Sequence, residues 1–272
     1  MSKSLRRAFL VGINYKGSDC ELGGCINDVI STKELLIRTY GYEESNILVF
    51  TDNSVIKPTG ANIRKGWQWL LSRSPAVDFT RSRYTQFDAR DKPVLFFHYS
   101  GHGSQARDLT GDEKDGIDET ICPIDFRTGG MITDDIIRTE LATRVPSGAK
   151  LFSLVDACHS ESSLDLLWNA TVLKTGEFAL TRAGNYLATP GEVALISGCQ
   201  DFDTSADIVV AGKGQGALTY AFLSVLKKAN YNITYDKLLV EIRAFLKNKR
   251  ISTQVPCLSF GRSVQISSKF SL

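Results

Sequence analysis

Cys158 and His102 are the two residues of this chain whose settings are those of a reacting pair. Cys158 closes the run Leu151-Phe152-Ser153-Leu154-Val155-Asp156-Ala157, and His102 follows Val94-Leu95-Phe96-Phe97-His98-Tyr99-Ser100 between Gly101 and Gly103. Each run is apolar, of strand type, and stops abruptly in polar residues. Continuous apolar runs read as parallel strands buried on both faces, and open α/β sheets bind ligands beyond the carboxyl ends of such strands. Two neighbouring strands ending this way set a thiol beside an imidazole, although 56 residues separate them (158 − 102). The thiolate is the reactive form of cysteine, and a nearby imidazolium lowers the thiol pKa. The pair suits nucleophilic attack on a carbonyl, with histidine as the acid that protonates the leaving group. The competing account of Cys158 is a buried structural thiol; the polar His159, Ser160 and Glu161 that follow at once speak against it. His98 ends its strand and is expected to pack or hydrogen-bond within the fold. His159 points away from the site if the backbone there is extended. The spacing of His98 and His102 comes without the glutamate or third ligand of a zinc peptidase, so zinc is not expected.

Carboxylates form the second group. Asp156 lies two residues before Cys158 and so shares its face of the strand. Asp28 follows Cys25 by three; a carboxylate in the first turn of a helix also stabilises the helix dipole, which is the other account of Asp28. Asp108, Asp112, Glu113, Asp115, Asp118 and Glu119 crowd one segment. A solvated acidic face is the ordinary explanation, and an EF-hand is excluded because Lys114 and Gly116 stand at ligand positions of its spacing.

The elements that must position these residues alternate in type. Strands are expected over 7–15, 46–51, 94–99, 150–156, 193–199 and 256–260, the last at an edge. Helices are expected over 27–40, 59–72, 133–143 (with Thr133 as its cap), 217–229 and 235–248. Residues 74–92 read as an exposed loop, and 161–190 carry few core signals. The alternation predicts a parallel or mixed sheet covered on both faces. Lys3, Arg6 and Arg7 precede a short apolar run, but Asn14-Tyr15-Lys16 follows where a leader would have small residues, so a first core strand is the reading.

The motifs resemble those of the caspase-like clan of cysteine peptidases, and within it the metacaspases of type I. They are Leu22-Gly23-Gly24-Cys25-Ile26-Asn27-Asp28, His98-Tyr99-Ser100-Gly101-His102-Gly103, the acidic stretch 111–120, Asp156-Ala157-Cys158-His159-Ser160, Ile196-Ser197-Gly198-Cys199-Gln200 and Ser205-Ala206-Asp207. The resemblance runs from Arg7 to about Arg262. It implies a caspase-like three-layer α/β sandwich with a central, mostly parallel β-sheet. A large-subunit-like part would span 1–165, a linker or processing loop 166–190, and a small-subunit-like part 191–272, all in one compact domain. It implies catalysis by His102 and Cys158, with backbone N–H groups of Gly103 and Cys158 as oxyanion hole. Cys25, Asp28, Ser100 and Asp156 would line an acidic pocket for the Arg or Lys before the cleaved bond. Asp118, Asp134, Asp135 and Asp165 would form a weak, activating calcium site. Lys174 and Arg182, the basic residues between Asp165 and Glu192, are candidate self-cleavage points. One position departs: Glu161 stands where the family usually has glycine, which puts loop geometry and turnover in question.

Composition bounds the rest. The chain has 272 residues, 43% hydrophobic and 23% charged, with a net charge of +2, enough for a sizeable core. No basic block with interleaved aromatics points to nucleic acid, and no segment is long and apolar enough to span a membrane. The six cysteines (20, 25, 122, 158, 199 and 257) show no C-x-x-C spacing. Free thiols in a reducing, cytoplasmic setting are therefore expected, with Cys122, Cys199 and Cys257 buried. A monomer is expected. The leading reading is a calcium-activated endopeptidase cutting after Arg or Lys. The rivals are a catalytically silent, scaffold- or chaperone-like relative, and a caspase-like enzyme with another specificity.

Overall fold

A computed structural model describes residues 5–73, 85–87, 90–111, 116–158, 163–172, 178–198, 207–210, 213–249, 251 and 255–272. In chain order the elements are β1 (Arg6–Gly12), α1 (Cys25–Arg38), β2 (Ile47–Thr51), α2 (Gly60–Leu70), β3 (Val94–Ser100), β4 (Gly103–Arg107), β5 (Ile117–Ile121), α3 (Phe126–Gly129), β6 (Ile132–Thr133), α4 (Asp134–Glu140), β7 (Lys150–Asp156), β8 (Trp168–Val172), β9 (Phe178–Arg182), β10 (Glu192–Ser197), β11 (Asp207–Val210), β12 (Lys213–Gly216), α5 (Ala217–Lys228), α6 (Tyr235–Asn248) and β13 (Cys257–Phe260).

Eight strands form the central sheet in the order β2-β1-β3-β7-β10-β13-β8-β9. The first five run parallel, and β13, β8 and β9 join antiparallel. The alternation within each strand divides the core in two. Phe9, Val11, Leu95 and Phe97 face the layer of α2 and α4, where they meet Ile63, Trp67 and Ile137. Ala8, Leu10, Phe96 and Phe152 face the layer of α1, α5 and α6, where they meet Val29, Phe222 and Leu238. Aromatic rings tie the sheet to these layers: Trp67 meets Phe97 edge-on at 5.8 Å, and Phe152 stacks on Phe222 at 5.8 Å. Helix starts follow their caps: Thr59 Oγ1 accepts the Asn62 N–H before α2, and Thr133 Oγ1 accepts the Ile136 N–H before α4.

Arg7 is a charged residue inside this core. Its guanidinium donates to the Trp69 and Ser72 carbonyls at 3.1 and 2.6 Å and lies over the Trp69 ring at 4.7 Å. Burial pulls its pKa down to about 10.

Three expectations are corrected. The last strand, β13, is not at an edge but lies between β10 and β8. The reason is the second correction: part of 166–190, expected as an exposed linker, is the hairpin β8–β9, which continues the sheet beyond β13. Trp168, Ala170, Phe178 and Leu180 pack onto the core under α5 and α6, and Leu164, Leu166 and Leu167 are buried. The period-two signal was short and carried by half-buried side chains, so it looked like loop. Cys257, expected buried, is only half-buried, whereas Cys122 is buried as expected and its thiol is pushed up to about 12 by burial. Cys199 lies outside the described residues. Most of the loop expected over 74–92 does too.

Candidate active site

The register of β3 on β7 sets the site. Ser100 pairs with Asp156, so His102 and Cys158, two residues beyond each, leave the sheet at the same level. The Gly101 N–H donates to the Asp156 carbonyl at 3.3 Å, extending that register into the turn. Gly103 then passes against the backbone of Cys158: a Cβ there would lie 1.9 Å from the Cys158 carbonyl oxygen. Only glycine allows that approach, and it carries His102 and the Gly103 N–H to the backbone of Cys158. Cys158 itself is half-buried, at the point where the strand meets the surface.

His102 is held from several sides. Its Nε2 lies 2.8 Å from the Cys20 carbonyl. A carbonyl only accepts, so Nε2 carries the proton of that bond and Nδ1 is the ring nitrogen left for a thiol. The His102 N–H donates to the Tyr15 hydroxyl at 3.0 Å, and its carbonyl accepts from the Tyr99 hydroxyl at 2.8 Å and from the Cys122 N–H at 3.0 Å. Tyr15 also lays its ring beside the imidazole, with centroids 4.7 Å apart. None of Tyr15, Cys20 or Tyr99 was singled out from sequence. Asn14-Tyr15 does end the apolar run of β1 in polar residues, the same signature that marked His102 and Cys158. His98 is fully buried, as expected, and its Nε2 meets the Thr219 hydroxyl at 3.2 Å. Burial lowers its pKa to about 3, so it is neutral and takes no part in proton transfer at neutral pH.

Asp28 and Asp156, from α1 and β7, converge on one spot. A Cβ placed on Gly216 would lie 2.7 Å from an Asp28 carboxylate oxygen and 2.3 Å from one of Asp156. Both are buried. Asp28 accepts from the Ser100 hydroxyl at 2.7 Å and the Gly216 N–H at 3.0 Å; Asp156 accepts the Thr219 N–H at 2.7 Å. Asp28 thus stands in the first turn of its own α1 and also accepts the N–H at the start of α5. Two carboxylates at the positive end of a twelve-residue helix are stabilised there by its dipole. Cys25 is buried at the first position of α1, three residues from Asp28. Of the four residues expected to line the pocket, Asp28, Ser100 and Asp156 thus sit together, with Asp156 two residues short of Cys158 along β7.

Comparison with known proteins decides the family. A model of the metacaspase, peptidase C14 domain matches residues 6–167. The chain is 36% identical to Metacaspase-1 of Schizosaccharomyces pombe, over 93% of this chain and 67% of that protein. It is 38% identical to Metacaspase-1 of Arabidopsis thaliana, over 89% of this chain and 65% of that protein. This chain belongs to the metacaspase family. That is a family of cysteine peptidases, and the chain spans about two thirds of the length of these curated relatives. The fold is caspase-like: the crystal structure of a Geobacter sulfurreducens protein superposes with a TM-score of 0.64 at 20% identity, covering 97% of both chains.

The four aspartates that the metacaspase resemblance assigns to calcium come from three segments. Asp118, Asp134 and Asp165 are buried, and Asp135 is half-buried. Burial first, and then the charge of Asp165, drives the Asp134 pKa far above the carboxylate range. Asp134 accepts the N–H groups of Glu119 and Asp135 at 2.9 Å each. Asp165 has φ +45°, accepts the Tyr186 hydroxyl at 3.0 Å, and gives its carbonyl to Arg138. Asp135 accepts from the Thr110 hydroxyl at 3.1 Å. Hard oxygen donors that repel one another suit calcium chemically. Among the described residues, however, no group of three or more such side chains is arranged to hold a metal ion.

Arg182 is exposed near the end of β9, with its Nε on the Gly184 carbonyl at 3.1 Å. Lys174, His159, Ser160, Glu161, Asp112, Glu113 and Asp115 lie outside the described residues. Among the described residues no helix is long and apolar enough to cross a membrane.

Proposed function

We propose that this metacaspase is a cysteine endopeptidase that cuts after Arg or Lys through a Cys158–His102 dyad and is activated by calcium. The observation that carries the specificity is the meeting of Asp28 and Asp156 beside Gly216. Two buried carboxylates, one from α1 and one at the end of the strand that leads to Cys158, attract a guanidinium or ammonium through charge-assisted hydrogen bonds. An aspartate side chain would be repelled there.

In this reading the Cys158 thiolate attacks the carbonyl carbon of the scissile amide. The Gly103 and Cys158 N–H groups receive the negative charge that develops on its oxygen. As the C–N bond breaks, Nδ1 of the His102 imidazolium gives its proton to the leaving amine. Water then attacks the thioester carbon while Nδ1 takes a proton from it, and the S–C bond breaks to return the thiolate. The Cys20 carbonyl keeps Nε2 protonated throughout, so the same nitrogen serves as acid and then as base.

By the family resemblance, Asp118, Asp134, Asp135 and Asp165 would have to converge on a calcium ion, because in this structure they are not gathered around one point; its charge would then offset their repulsion and fix the segment that follows Cys158. Self-cleavage after Lys174 or Arg182 belongs to the same reading, as do a cytoplasmic, monomeric protein and partners limited to protein or peptide substrates, with no nucleic acid or membrane. Glu161, standing in place of the family's usual glycine, favours the second reading, a weak or silent scaffold. A fluorogenic peptide panel with Arg, Lys, Asp or Asn before the bond, run with and without calcium, separates the two. Cleavage of Arg and Lys peptides only, stimulated by calcium, is the expected result. No cleavage of any member would leave the scaffold.

A further inference from the structure

We propose that Tyr15 is the positioning residue of the catalytic histidine, holding the His102 backbone with its hydroxyl and the charged imidazole with its ring. The inference rests on the reading of His102 as acid and base. It goes beyond that reading, because neither motif around the dyad contains Tyr15.

Three observations carry it. Tyr15 is 3% exposed and has φ +52°, a left-handed conformation costly for a tyrosine. A chain held there is held by its surroundings: Ser18 bonds the Tyr15 carbonyl from its N–H and its hydroxyl, and His102 is among the groups that meet the side chain. The hydroxyl accepts the His102 N–H at 3.0 Å, donates to the Cys122 carbonyl at 2.6 Å and meets the Tyr99 hydroxyl at 3.0 Å. The ring lies 4.7 Å from the imidazole, tilted by 42°. Phe126 meets the Tyr15 ring edge-on at 6.2 Å and limits its rotation. Tyr99 shares the hydroxyl network, bonding the His102 and Cys122 carbonyls at 2.8 and 2.9 Å, yet its hydroxyl touches His102 through backbone only.

A ring face beside an imidazole favours the imidazolium by a cation–π interaction. The imidazolium is the partner of the thiolate, so the ring favours the ion pair over the neutral thiol and imidazole. Other titratable and charged groups around His102 are Cys20 and Cys25 on the β1–α1 side, Tyr99 near the end of β3, Cys122 after β5 and Cys158 after β7. The exposed Asp19–Arg127 ion pair lies beyond Cys20. At neutral pH the tyrosines and Cys122 stay uncharged because burial raises their pKa values. They do not supply the charge that Tyr15 stabilises by its ring.

The test compares Tyr15→Phe, Tyr15→Leu and Tyr99→Phe with wild type in the full chain. The pH dependence of kcat/KM on an Arg peptide is read together with that of Cys158 alkylation by iodoacetamide. Tyr15→Leu should move the basic limb of kcat/KM down by ~0.5 pH unit and the acid limb of alkylation up by a similar amount, the scale of one partly exposed cation–π contact. Tyr15→Phe keeps the ring: kcat should fall about tenfold with KM unchanged, as for a displaced general acid, and both limbs should stay in place. Tyr99→Phe disturbs the same network without the ring and should also leave both limbs in place. Thermal melts identify any variant that fails to fold, and the two phenylalanine variants keep the core filled. Limbs unmoved in a folded Tyr15→Leu, or kcat unchanged in Tyr15→Phe, would overturn the inference. If wild type cleaves nothing, the peptidase reading fails, but the alkylation profiles still decide whether the ring stabilises the ion pair.

Discussion

Asp28→Ala should destabilise the protein as well as remove its preference for basic residues. The buried carboxylate accepts two hydrogen bonds, from Ser100 Oγ at 2.7 Å and from the Gly216 N–H at 3.0 Å. Hydrogen bonds to a buried charge contribute about 1.5–3 kcal/mol each, and alanine leaves both donors buried without that acceptor. Loss of the pair therefore costs ~3–6 kcal/mol. Asp156 lies beside the same glycine, and removing a like charge relieves part of this, leaving ~2–4 kcal/mol. For a chain of this size the melting temperature should drop by roughly 5–15 °C. Calorimetry at neutral pH measures the drop, and hydrogen exchange locates it. The Gly216 amide should lose protection, while Thr219, held by Asp156, keeps most of its own. Asp28→Asn retains an acceptor oxygen and should fall between. An Asp28→Ala protein that melts within about 2 °C of wild type, with Gly216 still protected, would refute the assignment of this carboxylate to the start of α5.

Cys158→Ala and His102→Ala should abolish peptide cleavage while shifting the melting temperature little, since neither is a core residue; residual turnover above a tenth of wild type in Cys158→Ala would remove it as nucleophile. Asp165→Ala should lose calcium stimulation yet keep Cys158 reactive toward iodoacetamide, and normal stimulation in that variant would place the switch elsewhere. His98 is held neutral in the fold, with its pKa lowered from 6.5 to about 3. The unfolded chain takes up that proton first as pH falls, so the contribution is intact above about 6.5 and is lost from there down toward about 3. The slope is about 1.4 kcal/mol per pH unit, and urea unfolding across this range should be flatter for His98→Gln.

His102, Cys158 and Asp156 stood out in the sequence because each lies where the apolar run of a strand stops in polar residues, whereas Asp28, in α1, was marked by the family resemblance. The register then follows from the sheet, which the alternation of elements already implied. Tyr15 bears the same signature at the end of β1, but its role depends on a left-handed turn that sends it under His102, and a sequence does not display that dihedral. The Cys20 carbonyl is a backbone atom, and no side-chain pattern marks it. The further contact of Asp28 with the start of α5 was not legible, because Gly216 lies 188 residues away. The β8–β9 hairpin was missed because short, half-buried strands bury too little apolar surface to announce themselves.

The place of β13 in the sheet orders events in time. Among the described residues, the β8–β9 pair joins the sheet through β13 alone, made of residues 257–260. As the polypeptide leaves the ribosome, the hairpin must wait for some 75 further residues before it has an edge to dock on. Until then Trp168 and its neighbours are open to water and to other chains. Such distant pairing slows folding and exposes unpaired strands to aggregation. A chain ending before Cys257 would never dock the hairpin on β13, although its dyad and acid pair would already have been synthesised.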